Sequence, residues 1–175
     1  VSSQLQLLNE PLCKNDVVYT PDHISDDMVR FFDLQGSILE PCKGNGAIYD
    51  KLSNLSNKSN LLWCEISQGK DFFAFNEKVD WIITNPPFSM IPEFLSHSFD
   101  VADNIVFLMP IHSFFRSGKL IALAKERGWV RHIRNYGSGR SMGFAMGNPI
   151  GAFYFQKRTV NIFSTTWSFY QKEGI

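Results

Sequence analysis

The segment Asn85-Pro86-Pro87-Phe88, which follows the apolar run VDWIIT, has residue types that define a chemistry most narrowly. With Pro at about 5% of residues, such a tetrapeptide arises by chance in only about a few of a thousand chains this long. A rigid turn at a strand end explains the prolines, but it requires neither Asn before them nor an aromatic ring after. An exocyclic amine on an aromatic ring, such as N6 of adenine, explains the whole set. Its lone pair is delocalised into the ring, so the nitrogen is a poor nucleophile. Two acceptors can bind its two hydrogens and draw it toward tetrahedral geometry as it attacks a methyl group in line. The Asn85 side-chain oxygen and the Pro86 carbonyl supply such acceptors, and Phe88 supplies a stacking surface. Pro86 and Pro87 stiffen the backbone so that the acceptors are aimed before reaction.

A second segment, Glu40-Pro41-Cys42-Lys43-Gly44-Asn45-Gly46, follows a short apolar run and opens a helix-patterned stretch. Its glycines allow a tight turn and close approach of backbone to a ligand, although a purely structural turn can also use two glycines. Glu65 lies 19 residues beyond Gly46, the spacing at which an acid meets a ribose diol in dinucleotide folds. Ile48 and Tyr49 stand where the third glycine of a dinucleotide fingerprint would be, and no base is placed for a pyrophosphate. The pattern therefore fits a cofactor with a ribose and no phosphate.

The elements that must position these residues alternate along the chain. Asp22 to Leu34 places Ile24, Met28, Phe31 and Phe32 on one helical face, with Thr20 suited to cap it and Pro21 to its first position. Ser37 to Glu40, LLWCEI, VDWIITN and NIVFLMP read as short strands apolar on both faces, as in a parallel sheet covered by helices. Between them Ile48, Leu52 and Leu55 share one helical face, and Ile91, Phe94, Leu95, Ser98, Phe99 and Ala102 another. LIALAKER reads as a helix, and WVRHIRNY, GAFYFQKR and NIFSTTWSFY as strands. The order implies a doubly wound, Rossmann-like α/β sheet, mostly parallel, with an antiparallel edge near the C-terminus. Ligands in such sheets bind outside the carboxyl ends of the strands, where both motifs lie.

Bulk properties bound the function. The chain has 175 residues, 44% of them hydrophobic, which suits one domain over residues 18–175 behind an N-terminal tail of residues 1–17. No signal peptide and no membrane span are expected. The 3 cysteines form no CxxC pair, which fits a reducing cytoplasm. Cys42 reads as packing rather than nucleophile, and His23, His97, His112 and His132 lack metal-ligand spacing, so no metal is expected. The net charge of zero hides an asymmetry. Residues 1–100 hold 14 acids and 7 bases, residues 101–175 hold 3 acids and 10 bases, and 7 of those bases fall between Arg116 and Arg140. Either a set of solvated helix faces or an anion-facing surface accounts for this.

Taken together, Tyr19-Thr20-Pro21, the turn from Glu40 to Gly46, and Asn85-Pro86-Pro87-Phe88 resemble three motifs of the S-adenosylmethionine-dependent adenine-N6 DNA methyltransferases. The resemblance runs from about Val18 to Arg158, and the tetrapeptide is its most specific part. It implies that Glu40, Pro41, Gly44 and Gly46 hold the methionine end of S-adenosylmethionine, that Glu65 binds the ribose, and that Asp71 and Phe72 frame the cofactor's adenine. Tyr19, Thr20 and Pro21 would close over the methionine moiety. A bacterial or phage-like setting is also implied.

Family members that read a fixed DNA sequence usually carry a separate target-recognition region. Here Gly46 and Asn85 are 39 residues apart and 17 residues follow Arg158, so none is expected. Sequence reading then falls to the loops Ser113 to Lys119 and Tyr136 to Asn148, with Ser113, Arg116, Lys119 and Arg140 touching substrate, or to a specificity subunit or a second copy of the chain. The second loop, with glycines at 137, 139, 143 and 147, is expected to be flexible. DNA is the leading substrate and the expected specificity is relaxed. Structured RNA keeps the chemistry and changes the substrate. Glutamine N5 methylation of a protein is a third reading, weakened by Phe88 where those enzymes usually carry Tyr. A non-enzymatic nucleic-acid-binding module is a fourth, and it leaves the motifs unexplained.

Overall fold

The computed structural model describes residues 18–55, 60–158 and 164–171. The expected tail over residues 1–17 lies outside them. Helix α1 (Asp22–Phe31) leads into β1 (Ile38–Glu40), α2 (Ala47–Ser53), β2 (Leu61–Trp63), β3 (Val79–Thr84), α3 (Ile91–Val101) and β4 (Ala102–Pro110). Then come α4 (Ile111–Arg116), α5 (Gly118–Arg127), β5 (Gly128–Ser138), β6 (Pro149–Lys157) and β7 (Thr166–Phe169). The strands form one 7-stranded sheet in the order β2-β1-β3-β4-β6-β5-β7. β1 to β4 pair in parallel, β6 runs antiparallel to both β4 and β5, and β7 pairs parallel with β5. The antiparallel part expected near the C-terminus is thus β6, seated between two strands of the common direction, with β7 as the outer strand.

Alternation along the central strands explains why helices cover both faces. In β4, Ile105, Phe107 and Met109 turn to the side of Phe94, Leu95 and Phe99 of α3, Phe114 of α4, and Leu120 and Ala124 of α5. Val106 and Leu108 turn to the other side, against Ile24 and Met28 of α1 and Ile48 and Leu52 of α2. A side chain every second residue on each face makes an unbroken apolar run compatible with burial on both. No helix among the described residues is long and apolar enough to cross a membrane.

Several local expectations are corrected. α1 ends at Phe31 rather than Leu34, because Phe32 turns extended, and its buried face is Ile24, Ser25, Met28 and Val29 while Phe31 stays exposed. Thr20 does not cap the helix; Pro21 is the N-cap residue and no side chain bonds the first-turn amides. Ser113 to Arg116, expected as loop, is helical in α4, with Phe114 buried against the core.

The segment after Tyr136 is not the free loop its glycines suggested. Gly139 N–H donates to Asn148 C=O at 3.0 Å, Phe144 N–H donates to Gly139 C=O at 2.9 Å, and the Phe144 ring is buried in the core. One buried aromatic ring and a closed set of turn hydrogen bonds outweigh the backbone freedom of the glycines.

Candidate active site

Because β1, β2, β3 and β4 are parallel, their carboxyl ends place Glu40, Trp63, Thr84 and Pro110 along one edge of the sheet. The backbone turns sharply after β1. Gly44 at φ 52° and Gly46 at φ 91° are left-handed, a conformation that side chains with a Cβ rarely adopt. Lys43 N–H donates to Cys64 C=O at 3.0 Å, and Gly46 N–H donates to Lys43 C=O at 2.8 Å, which stitches the turn to the end of β2. Glu65 clasps it from the other side. Its carboxylate accepts from Gly44 N–H at 2.7 Å, from the Ser67 hydroxyl at 2.7 Å and from Ser67 N–H at 3.1 Å. Burial pushes the Glu65 carboxyl up, but the Ser67 hydroxyl and these amides more than offset it and hold it below the usual range.

Beneath the turn, Glu40 is almost wholly buried, and its Oε2 has no protein partner. Burial is the largest influence on it and outweighs the nearby Lys43, so its carboxyl is pushed up to about 9. It is therefore protonated at neutral pH unless a cation meets it. Burial also raises the Cys42 thiol, which stays protonated and packs on the core.

Asn85 emerges at the end of β3. Its Nδ2 donates to the Val18 carbonyl at 2.7 Å and to the Thr20 hydroxyl oxygen at 3.1 Å. Its Oδ1 is buried with no partner. Pro86 and Pro87 lead into a 3-10 turn, Phe88–Met90, in which Met90 N–H donates to Pro87 C=O at 3.0 Å. Phe88 is half-buried and packs against the core. A cleft is lined by Val18, Tyr19, Thr20, Glu40, Gly44 and Asn85, together with Cys42, Lys43, Asn45, Ala47 and Ile48.

The structure thus brings five of the singled-out residues, Tyr19, Thr20, Glu40, Gly44 and Asn85, to one cleft. Glu65 meets them through Gly44, and Pro21 follows Thr20. Asp71 and Phe72 do not line it. Asp71 accepts from Phe73 N–H at 2.9 Å and borders a separate depression with Trp63 and Lys70. The Phe72 ring is buried against Phe94 and His97, so of this residue only the backbone is left to border a ligand. Ser113 and Arg116 ride on α4 and Arg140 lies on the 3-10 turn Arg140–Met142, and none of them lines the cleft. Lys119 pairs with Glu93 at 2.6 Å on the surface. The Val18 carbonyl was missed, because a backbone acceptor carries no sequence signal. Among the described residues no group of three or more His, Cys, Asp or Glu could hold a metal ion.

No protein-family model matches the sequence, and neither does any curated protein. Solved structures do. A protein of Listeria monocytogenes assigned as a class I S-adenosylmethionine-dependent methyltransferase superposes with TM-score 0.65 at 14% identity, over 94% of this chain and 71% of that one. The fold is that of the class I methyltransferases. A modification subunit from Vibrio vulnificus, assigned to a type I restriction enzyme, has TM-score 0.63 at 17% identity over 99% of this chain and 51% of that one. This chain therefore spans about half the length of that subunit. A Pyrococcus horikoshii protein assigned as an RNA methyltransferase has TM-score 0.54 at 16% identity, over 87% of this chain and 95% of that one. In this methyltransferase fold the cleft sits at the carboxyl ends of the parallel strands, and it unites two motifs 39 residues apart.

Proposed function

We propose that the chain transfers a methyl group from S-adenosylmethionine to the exocyclic N6 amine of adenine in DNA, with relaxed sequence specificity. The observation that carries this reading is the Asn85 Oδ1: a buried acceptor with no protein partner, on an amide whose nitrogen end is already tied. A buried polar atom left without a partner is destabilising, and such atoms in native proteins call for an explanation. A ligand N–H is the simplest one here.

The cleft fits the cofactor by the same test. Glu40 Oε2 is a second buried oxygen without a protein partner, suited to an ammonium group such as that of a methionine moiety. The turn at Gly44 and Gly46 admits a ligand close to the backbone, and Glu65, which accepts three hydrogen bonds, keeps lone-pair capacity for a ribose hydroxyl. Tyr19 and Pro21 would border the methionine end, and Asp71 with the backbone of Phe72 would meet the adenine. S-adenosylmethionine supplies an electrophilic methyl group on a sulfonium centre. Asn85 Oδ1 and the Pro86 carbonyl accept the two amine hydrogens and Phe88 lies against the base. Since a duplex hides that nitrogen, the adenine must leave the stack to reach them.

The test is incubation with methyl-labelled cofactor and separate DNA, RNA and protein pools, followed by nucleoside analysis. Label recovered as N6-methyladenine from DNA supports the reading. Label from RNA alone would favour the second reading, to which the likeness to the Pyrococcus protein lends support. Label in protein alone, or in nothing, would overturn both. A specificity subunit or a second copy of the chain would add sequence reading. Free Cys42 and Cys64 suit a reducing cytoplasm.

A further inference from the structure

We infer that Thr20 is a positioning residue for Asn85: its hydroxyl holds in place an amide whose polarity the Val18 carbonyl sets, so that Oδ1 faces the cleft. This rests on the function proposed above and adds to the role expected of Thr20 at the methionine end of the cofactor.

The two ends of a side-chain amide are nearly equal in size and shape, so packing alone hardly distinguishes them, and only hydrogen-bond polarity does. The Val18 carbonyl can only accept. The Asn85 nitrogen must therefore be the atom that faces it, at 2.7 Å, and the Thr20 hydroxyl accepts from the same nitrogen at 3.1 Å. With both in place Oδ1 is left as an acceptor without a partner. A reversed amide would set a carbonyl oxygen against the Val18 carbonyl and present N–H groups to an amine, so donor would face donor in the cleft. The Val18 carbonyl alone excludes that state, while the Thr20 hydroxyl is the second of the two contacts that hold the amide still, and losing its oxygen leaves the amide on one contact.

Thr20 is itself held in place. It is 8% exposed, and its neighbour Pro21 accepts from Ile24 N–H at 3.0 Å and from Ser25 N–H at 3.1 Å, which pins it to the first turn of α1. A Cβ at Gly143 would lie 3.6 Å from Pro21, so the 139–148 loop backs the same point. Farther along α1, Asp27 is gripped by Arg134 and by the Tyr136 hydroxyl, both on β5. The Thr20 side chain makes no cap to α1, so its hydroxyl is available to Asn85.

The experiment compares wild type, Thr20→Val, which keeps the shape and removes the oxygen, and Thr20→Ser, which keeps the oxygen. At saturating cofactor Thr20→Val should lower kcat about tenfold with KM for DNA within about twofold, and Thr20→Ser should restore most of the rate. An unchanged kcat in Thr20→Val, an equal loss in Thr20→Ser, or weakened cofactor binding as the sole effect would overturn the assignment. A readout independent of turnover accompanies it. In nitrogen-15 NMR spectra without substrate, the wild-type Asn85 side-chain amide, identified by its loss in Asn85→Ser, should show both protons protected from exchange, and Thr20→Val should lose protection of one. Rapid exchange of both in the wild type, or no change in Thr20→Val, overturns the inference. If the wild type methylates no substrate, the proposed function fails while the amide exchange still decides the role of Thr20.

Discussion

Asn85 and Glu40 each present one buried oxygen without a protein partner, and the chemistry expected of each follows from whether that oxygen can carry charge. The Asn85 amide stays neutral, so its oxygen is an acceptor at every pH. Asn85→Ala should reduce methyl transfer by at least about a hundredfold with cofactor affinity held, since the acceptor matters most as the amine becomes tetrahedral. Single-turnover kinetics beside calorimetry would separate the two, and near-normal turnover would remove the tetrapeptide from catalysis. Glu40 titrates. Its folded value of about 9 lies above the ordinary 4.5, so the folded protein holds a proton that the unfolded chain has released between those values. Stability from this group is full below the unfolded value and is lost as pH rises through the folded one. The thermal midpoint of the cofactor-free protein should therefore fall from pH 5 toward pH 9, and Glu40→Gln should flatten that dependence. An ammonium brought to Glu40 ionises it, so cofactor binding at neutral pH should release up to about one proton, seen as a buffer-dependent heat that Glu40→Gln abolishes.

The elements around the cleft are tied by contacts between segments far apart in sequence. α1 carries Asp27 to β5, where Arg134 donates through Nη2 at 2.8 Å and Nε at 3.1 Å, and the Tyr136 hydroxyl donates at 2.9 Å. The ion pair is mostly buried, with the two side chains 14% and 16% exposed. Removing one partner leaves a charge in a poorly solvated place, so Asp27→Asn should destabilise the fold by about 3 kcal/mol. Denaturant unfolding measures this, and a loss below about 1 kcal/mol would mean that water reaches Arg134 readily. Since the first turn of α1 also holds Pro21, and Thr20 before it lines the cleft, the same variant should weaken methyl transfer more than a destabilised but distant substitution does.

At the scale of the molecule, the charge asymmetry of the sequence is partly cancelled in space. Acids of the first hundred residues meet bases of the rest: Glu93 with Lys119 and Asp100 with Arg127, both at 2.6 Å, and Asp27 with Arg134 at 2.8 Å. Arg116 and Arg140 stay exposed with no ion-pair partner among the described residues. Replacing both by Ala should weaken DNA binding for all sequences and reduce the salt slope by up to about 2, while Lys119→Ala alone should change it less. Equal slopes in wild type and double variant would assign the two arginines to solvation. Specificity belongs to the same scale. A base-pair contact contributes about 1 to 3 kcal/mol, and the pinned 139–148 loop offers Arg140, Ser141 and Asn148 as polar readers. Methylation of mixed-sequence DNA by this chain alone should spread over many adenine contexts. Confinement to one site of four to six base pairs would show that these loops read more than their few polar groups imply.

Local residue patterns determined the α/β order, the mostly parallel sheet with its antiparallel part near the C-terminus, and the two segments that meet at the cleft. Those features are written in periodicity, in glycines that turn left-handed, and in the prolines of a tetrapeptide that ends a strand at the sheet's carboxyl edge. The α1 boundary was less legible, because Phe31 and Phe32 continue an apolar pattern although the chain turns extended at Phe32. The glycine-rich segment after Tyr136 misled for a related reason: four glycines suggest freedom, and the burial of Phe144 removes it. Only the tertiary structure decided that Thr20 bonds Asn85 rather than capping α1, that Phe72 packs in the core, and that Lys119 is paired. Each of these is a choice among partners 22 to 65 residues away, for Phe72–Phe94, Lys119–Glu93 and Thr20–Asn85. A side chain's chemical type sets which bonds it can make, but chain topology sets which partner arrives within reach.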